Sequence, residues 1–250
     1  MTRHGGTRAL KRFNTPKFLQ IKRKHGTFFM KPSPGPHSNR FCLPLLHIVR
    51  DLLNIVDNHR EAKKLIGLGN FKVDGKIVRD ITYPVGLMDV LSIEKMNKHY
   101  RILPDSHYGL ILHEIPKAES AFKLCKIIQK STLKGGHIQL NLHDGRNIFV
   151  RVKDPKKPKE DIYKRMDVLK ISVPEQEILK VLKFKEGNLA IIMSGKNIGQ
   201  VGKIIGILKR FGPKASTVSI EHNSDHTETL YDYTFIIGEE QSEINLPELE

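Results

Sequence analysis

The sequence predicts an α+β protein that is mostly β, and three observations support this fold class. Two successive helices are indicated only between Pro44 and Gly69, by helical spacing of the apolar residues up to Val56 and by a capping-box pair after it. Most later apolar runs are short and separated by turn residues, as in strands. The apolar residues among the first 40 positions follow neither the 3.6-residue spacing of a helix nor the two-residue alternation of a strand. We therefore predict a basic N-terminal extension, a small module of two helices and a hairpin, a central β-domain and a C-terminal antiparallel barrel. A length of 250 residues suits one to three compact units.

Residues 1–41 are predicted to form an extended arm. Pro32, Pro34 and Pro36 favour extended backbone, and the apolar residues keep no regular spacing. Because such a segment buries little apolar area by itself, a partner has to order it. Its basic residues alternate with Phe and His, which suits phosphate pairing and base stacking, although a solvated tail is the alternative. The candidate nucleic-acid-binding residues of the arm are Arg3, Arg8, Lys11, Arg12, Lys17, Lys22, Arg23, Lys24, Lys31 and Arg40.

Residues 42–104 are predicted to form the small module. Pro44 suits the first position of a helix whose apolar face is spaced at i, i+3, i+4 and i+7. Asn58 and Glu61 have the spacing of a capping box, which predicts a second helix ending near Gly67. The apolar positions of the first helix are Leu45, Ile48, Val49, Leu52, Leu53 and Val56.

A hairpin and a third strand complete the predicted module. Asp74-Gly75 lies between two apolar segments, and this dipeptide favours a type I′ turn because both central residues need positive φ. The third strand is expected at 89–93. Several Lys and Arg residues lie outside the apolar faces of the helices, at positions that suit contact with a nucleic-acid backbone. The alternative is a charged face that is merely solvated. These bases are Arg50, Arg60, Lys63, Lys64, Lys76 and Arg79.

Residues 105–176 are predicted to form the central β-domain. His143-Asp-Gly-Arg146 predicts another hairpin turn, and a short helix is expected at 117–122. Short strands at even spacing suit a barrel or sandwich. The predicted strands are 108–115, 123–129, 137–142, 147–152 and 168–173.

Residues 177–250 are predicted to form a small antiparallel barrel followed by an acidic tail. Strands are expected at 189–193, 200–208 and 217–221, and a turn at 194–199. Glycines at this turn permit tight backbone geometry.

The charge distribution narrows the class of partner. The formal net charge is +15, made up of +11 over residues 1–50, +13 over 51–220 and −9 over 221–250. Clustered Lys and Arg gain free energy by displacing counterions from phosphates, so a polyanion is the expected partner. No apolar run of about 18 residues predicts a membrane helix. The N-terminus lacks the apolar core of a secretory signal, although an amphipathic organellar targeting segment is an alternative.

Sequence motifs for catalysis, cofactors or metals are weak. Ser194-Gly-Lys-Asn197 lacks the upstream glycine and the Ser/Thr of a phosphate-binding loop. His222 and His226 are four residues apart, but the segment around them has the composition of a turn. Cys42 and Cys125 are too few for a disulfide framework or a four-cysteine zinc site, which fits a reducing compartment, and buried inert thiols are the default. We expect no enzyme, cofactor, metal or small-molecule substrate.

Several runs of sequence resemble the archaeal and eukaryotic family of small-subunit ribosomal protein four. They fall in one order along nearly the whole chain, and the acidic C-terminus resembles the archaeal branch, since eukaryotic members usually end in a longer basic tail. The runs are Pro32–His37, Cys42–Leu45, Ile81–Val90, Lys123–Lys126, His143-Asp144, Gly187–Leu189, Gly195–Gly202, Phe235–Gly238 and Ile244–Pro247.

This resemblance implies a cytoplasmic, structural component of the small ribosomal subunit that binds ribosomal RNA (rRNA) and neighbouring ribosomal proteins. It implies that the module is a small RNA-binding domain and that the C-terminal unit is an SH3-like barrel of the KOW type. The barrel would present Lys196, Lys203, Lys209 and Arg210 to rRNA. Two alternatives remain: a transcription-elongation factor, and an RNA-modifying enzyme whose small module delivers a catalytic domain. The second needs a large catalytic unit, for which little chain remains.

Overall fold

The computed structural model is mostly β with few helices, as the sequence predicts. It describes residues 9–16, 18–19, 21, 24, 26–39, 41–106, 108–154, 159–210, 214–222 and 225–247. Some predicted RNA-binding residues lie outside this set; they are Arg3, Arg8, Lys17, Lys22, Arg23 and Arg40. Among the described residues, no helix is long and apolar enough to cross a membrane.

The described part of the arm packs against the body of the protein. Strands β1 (Leu10–Lys11) and β2 (Phe28–Phe29) pair antiparallel. Leu19 and Phe29 are buried in the main hydrophobic cluster, and the Phe29 ring meets the His47 ring edge-on at 5.0 Å. The described part of the arm therefore packs against the chain's own core.

The two predicted helices are present. Strand β3 (Cys42–Pro44) leads into α1 (Leu45–His47), which continues in the wider turns of a π-helix over Ile48–Leu52. Helix α2 spans His59–Gly67. The capping box is wrong in its detail: the Asn58 side chain donates to Glu61 Oε1 at 3.3 Å and makes no cap bond to the backbone.

An antiparallel sheet with strand order β5-β4-β7-β8-β9 follows the helices. Asp74 (φ 48°) and Gly75 (φ 72°) both have positive φ, which confirms the type I′ turn between β4 and β5. A separate strand, β6 (Pro84–Gly86), pairs with β3. The sheet is made of β4 (Phe71–Val73), β5 (Lys76–Ile77), β7 (Val90–Ile93), β8 (Lys98–Asp105) and β9 (Gly109–Ile115).

A second antiparallel sheet has the order β12-β11-β10-β13-β14. The helix predicted at 117–122 is wrong: only a single 3₁₀ turn forms at Glu119–Ala121, because strand β10 already begins at Phe122. The strands are β10 (Phe122–Thr132), β11 (Ile138–Leu142), β12 (Asn147–Val150), β13 (Val168–Ser172) and β14 (Ile178–Leu182).

A third antiparallel sheet has the order β18-β17-β16-β15-β19. The predicted turn at 194–199 connects β15 to β16. The acidic C-terminal segment contributes β18 and β19, so it is part of a folded unit. The strands are β15 (Leu189–Ile192), β16 (Val201–Leu208), β17 (Thr217–His222), β18 (Asp225–Leu230) and β19 (Thr234–Gly238).

Hydrophobic packing continues across the sequence units. One cluster of buried residues extends from Leu19 to Ile244 and includes side chains of the first and third sheets, and a second cluster lies in the middle sheet. Strands β8 and β9 pair with each other on either side of the predicted boundary between residues 104 and 105. Strands β13 and β14 do the same at the predicted boundary between residues 176 and 177. Two of the sheets therefore continue across predicted unit boundaries.

Candidate nucleic-acid interface

Helix α2 presents three predicted basic residues to solvent. Arg60, Lys63 and Lys64 are exposed, whereas Ala62 and Ile66 on the opposite face are fully buried. This separation follows from the 3.6-residue period, which places residues three and four apart on one face. No carboxylate in the described part of the chain forms an ion pair with these three bases, so their charges are available to a polyanion.

The β4–β5 hairpin adds to the same surface at the end of α2. A Cβ at Gly69 would lie 3.1 Å from Ile77 Cγ2 and 3.5 Å from Arg79 Nε, so both side chains lie over the helix C-terminus. Leu68 and Ile77 are more than half exposed there. We call Arg60, Lys63, Lys64, Lys76 and Arg79 the module face. It combines apolar area with five exposed basic residues, a composition that suits contact with nucleic acid.

Arg50 differs from the other predicted bases of the module. Its guanidinium donates to both oxygens of Asp51, each at 2.8 Å, and its side chain is 16% exposed. Asp51 also bonds His47 Nδ1 at 2.7 Å. Burial alone would raise the pKa of Asp51, but these partners lower it well below its ordinary value. Arg50 is thus half of a local ion pair, with little of its side chain facing solvent.

The described bases of the arm and of the C-terminal sheet are mostly exposed. Lys11 and Lys24 are exposed, Lys31 is partly buried, and the Arg12 guanidinium lies 5.0 Å from the centre of the Phe13 ring. Phe13 itself is 89% exposed, which gives the arm an accessible ring beside a cation. On the third sheet Lys196, Lys203, Lys209 and Arg210 are all exposed.

A buried ionic cluster joins the module to the middle sheet. Lys123 of β10 is fully buried, and its Nζ donates to Asp74, Asp89 and Asp144. The bonds to Asp74 and Asp144 are each 2.9 Å. Burial disfavours the ammonium, but the carboxylates outweigh it and raise the pKa of Lys123 well above its ordinary value. Lys123 therefore remains charged at neutral pH.

The cluster also ties down the arm. His37 Nε2 bonds Asp89 at 2.9 Å, and Arg146 Nη2 donates to Asp74 at 2.6 Å. Five of the sequence runs that carry the family resemblance, beginning at Pro32, Cys42, Ile81, Lys123 and His143, supply this cluster or flank it. Their shared position explains what these distant runs have in common: they build or flank one buried ionic centre.

The described residues offer one group close enough to hold a metal ion, formed by Cys125, His143 and Asp144. Lys123 Nζ already bonds Asp144 there, and an ammonium opposes a second cation. Both His143 nitrogens are engaged, by the Lys126 amide and by the Leu87 carbonyl, each at 3.2 Å. Burial lowers the pKa of His143 to about 4, so its ring is neutral. These contacts favour a structural role over metal binding.

The other candidates for chemistry have structural positions. His222 and His226 lie on different strands, β17 and β18, and His222 Nδ1 bonds the Val201 carbonyl at 2.6 Å. Cys42 and Cys125 are free and buried, as predicted. Burial raises the pKa of Cys42 to about 12, which makes it a poor nucleophile.

The sequence prediction missed four basic residues that meet at the junction of the second and third sheets: Lys126, Lys130, Lys164 and Arg165. They come from β10 and from the loop before β13, so no local charge run reveals them. The run Lys126-Ile-Ile-Gln-Lys130 does not alternate polar with apolar residues, so its pattern gives no indication of a shared surface.

The C-terminal segment folds back onto the middle sheet. Glu243 accepts bonds from Lys170 (2.7 Å) and Lys180 (2.6 Å), and Glu119 accepts from the Asn245 amide. These bonds lower the pKa of Glu243. Part of the acidic charge is therefore neutralised within the protein, which fits the expectation that the tail does not face RNA.

Comparisons with known proteins agree on one family. A model described as Ribosomal family S4e matches residues 96–178, and a model described as RS4NT (NUC023) domain matches residues 4–40. The second match covers most of the arm.

Relatives match over almost the full length. Small ribosomal subunit protein eS4 of Staphylothermus marinus is 49% identical over 99% of this chain and 99% of its own. The protein of the same name from Methanocaldococcus jannaschii is 45% identical over 98% of this chain and 100% of its own. A solved structure, the 30S ribosomal protein S4e from Thermoplasma acidophilum, superposes with a TM-score of 0.65 at 33% identity, covering 79% of this chain and 94% of that one.

Proposed function

Because the chain belongs to the eS4 family of small ribosomal subunit proteins, we infer that it is a structural constituent of the small subunit of the cytoplasmic ribosome, and that it binds and stabilises small-subunit rRNA. The observation that supports this most strongly is 44–49% identity to archaeal relatives named small ribosomal subunit protein eS4 over at least 97% of the chain. The family is one of ribosomal proteins and not of enzymes.

We propose that the module face contacts the rRNA backbone. Its bases are exposed on one helix and one hairpin, and those on the helix have no carboxylate partner among the described residues. Phosphate contacts of this kind supply affinity, while RNA shape and a few unstacked bases supply specificity. Arg50 would contribute less, since its Nε and Nη2 already donate to the two oxygens of Asp51 and little of its side chain is exposed.

The finer architecture is part of the proposal. Residues 42–104 would be the small RNA-binding module, 105–176 the central β-domain, and 177–250 a KOW-type SH3-like barrel with an acidic end. The five-stranded antiparallel order β18-β17-β16-β15-β19 and the tight β15–β16 turn support the barrel. Lys196, Lys203, Lys209 and Arg210 would face rRNA from it. Residues 1–41 would be the basic extension that inserts between rRNA helices.

The alternatives are less well supported. A transcription-elongation factor or an RNA-modifying enzyme would share only the small module or the barrel with this chain. The relatives instead match it over 99–100% of their own length, and they are named as ribosomal proteins. Neighbouring ribosomal proteins are further expected partners.

Sedimentation tests the proposal. A tagged full-length chain, expressed in an archaeal host, should comigrate with small subunits through a sucrose gradient after a stringent salt wash. A chain that stays at the top of the gradient, or that sediments with RNA polymerase, would contradict the proposal.

A further inference from the structure

A groove runs along the junction of the second and third sheets. It consists of three adjoining depressions that share Arg165, and the middle one is a pocket of about 440 Å³. Arg165 pairs with Asp232 at 2.9 Å while both side chains stay more than 60% exposed, so the pair borders the groove and leaves it open. A volume of this size lies within the range of about 300–1,000 Å³ that is typical of ligand sites.

The pocket itself is mainly apolar. Phe41, Leu87, Met166, Met193 and Tyr233 are among its lining residues. They come from the end of the arm, the module, the loop before β13 and the C-terminal unit, so the pocket exists only in the assembled fold. Flat rings and flexible thioethers beside one another suit a planar, polarisable group such as a nucleobase.

One buried charge faces this pocket. Lys126 is 4% exposed, and its Nζ donates to the main-chain oxygens of Asp232 (2.6 Å) and Thr234 (3.0 Å). An ammonium has three N–H groups, so one of them remains for a ligand. Burial lowers the pKa of Lys126 to about 8, which still leaves most of the group protonated at neutral pH. The pocket thus offers a hydrogen-bond donor to a ligand with an exposed acceptor.

A bulge in β10 shapes the groove wall. The pairing of β10 with β11 shifts between Ile127 and Gln129, which makes Ile128 the extra residue. Ile127 is fully buried, whereas Ile128 is 47% exposed and lines both the pocket and the adjoining depression. Bulges of this kind redirect a side chain next to a site. Here the redirected side chain is apolar and faces the groove.

The charges on either side favour a phosphodiester chain. Arg165, Lys209 and Arg210 line the depression on one side, and Lys130 and Lys164 line the other. Lys130 is paired with Asp161, but Lys164, Lys209 and Arg210 form no ion pair with any carboxylate that the structure describes. Asp232 is the acidic residue among the described lining of these depressions. A net positive track with an apolar pocket between its halves matches a nucleotide and its flanking phosphates.

We propose that this groove binds a single-stranded segment of rRNA, with one unstacked base in the pocket beside Lys126 and the flanking phosphates on Arg165, Lys209, Arg210 and Lys164. The inference rests on the proposed function, since it names a second contact with the same RNA. It adds a site separate from the module face and requires the second and third sheets to be docked.

A matched pair of variants tests the site with the full chain and protein-free small-subunit rRNA. Ile128→Glu places a carboxylate at the groove wall. Leu179→Glu makes the same change of charge on β14 at a side chain that is 57% exposed and lines none of the three depressions. We expect Ile128→Glu to weaken binding about tenfold or more, and Leu179→Glu to stay within about twofold of the unmodified chain, because stacking and phosphate contacts are lost only in the first. Equal binding by the two variants would overturn the inference.

Zero-length ultraviolet cross-linking of the unmodified complex provides a test without any variant. We expect nucleotide-linked peptides that contain Phe41, Lys126 or Tyr233. Cross-links confined to the module face and to arm residues before Phe41 would overturn the inference and leave the proposed function standing. If the unmodified chain fails to bind small-subunit rRNA at all, the proposed function fails and the inference fails with it. A defect of Ile128→Glu that appears only in subunits reconstituted with other ribosomal proteins would assign the groove to a protein neighbour, which contradicts the inference.

Discussion

The buried ionic cluster gives the sharpest stability prediction, through the substitution Lys123→Met. Methionine keeps the length and apolar stem of lysine but removes the ammonium that bonds Asp74, Asp89 and Asp144. The three buried carboxylates would then keep the Arg146 and His37 side chains, the Cys125 thiol and nearby backbone amides as partners, without the ammonium at their centre. Removing one partner of a buried ion pair costs about 3–5 kcal/mol, because the other charge stays desolvated.

The expected loss has an independent bound. Protonating one of the abandoned carboxylates at pH 7, from an ordinary pKa near 3.9, costs about 4 kcal/mol. The variant would adopt whichever state costs less free energy, a charged and unpaired carboxylate or a protonated one. The loss of unfolding free energy should therefore be about 3–5 kcal/mol at pH 7. For a domain of about 150–250 residues this lowers Tm by roughly 6–20 °C.

Urea unfolding of the full chain measures this loss, with Lys98→Met as the control. Lys98 also lies on a strand and pairs with a carboxylate, Glu114, but its side chain is 44% exposed, so its removal should cost at most about 1 kcal/mol. The loss in Lys123→Met should shrink as the pH falls from 7 to 5, because the unpaired carboxylates, with raised pKa values, become protonated. Equal losses in both variants, or a loss independent of pH, would refute this account of the cluster.

Three further predictions follow from the same contacts. The double variant Lys63→Ala/Lys64→Ala should reduce the salt slope of rRNA binding by up to about two with little change in Tm, as filter binding and thermal unfolding would measure; an unchanged slope would remove α2 from the interface. In Gly86→Ala the new Cβ would overlap the His37 ring, so the arm should be cleaved faster in limited proteolysis; unchanged cleavage would show that the arm is not held at His37. Burial alone would raise the pKa of Asp144, but the Lys123 ammonium outweighs it and lowers this pKa from an ordinary 3.8 to about 2. The resulting stabilisation of about 2 kcal/mol is complete above about pH 4 and is lost as the pH falls toward 2. Asp144→Asn should therefore flatten the pH dependence of urea unfolding in that range, and an equally steep dependence would contradict this.

The local parts of the fold could be predicted from the sequence. The Asp74-Gly75 turn was predictable because positive φ at two successive residues selects this dipeptide. Helix α2 was predictable from the spacing of Asn58 and Glu61 at its start and from the glycine at its end, although the predicted cap bond does not form. Strand β8 was missed because its eight residues include bases, a histidine and Pro104 and show no alternation, although most of them are buried between neighbouring strands.

The buried cluster could not be predicted from residue types. Lysine is rarely buried, so Lys123 in isolation indicates an exposed strand position. Its partners Asp74, Asp89 and Asp144 are 49, 34 and 21 residues away, and only the docking of the hairpin onto the middle sheet brings them together. The resemblance to the ribosomal family marked the segments of Lys123, Asp89 and Asp144 but not that of Asp74, and it did not show that they meet.

Only those bases of the interface that follow a local sequence pattern were predictable. Exposed bases on α2 and the hairpin follow from helical and strand periods, so local patterns find them. The groove bases Lys126 and Arg165 come from segments 39 positions apart and meet at a junction between sheets. A site that forms between units is built from segments distant in sequence, so no local pattern predicts it.

The salt dependence of binding to purified small-subunit rRNA tests the central claim most directly. If the exposed bases of the arm, the module face and the third sheet neutralise rRNA phosphates, raising the salt from about 50 to 200 mM should weaken binding about 10³-fold or more. A change of less than about tenfold over this range would contradict the assignment of the positive charge to RNA.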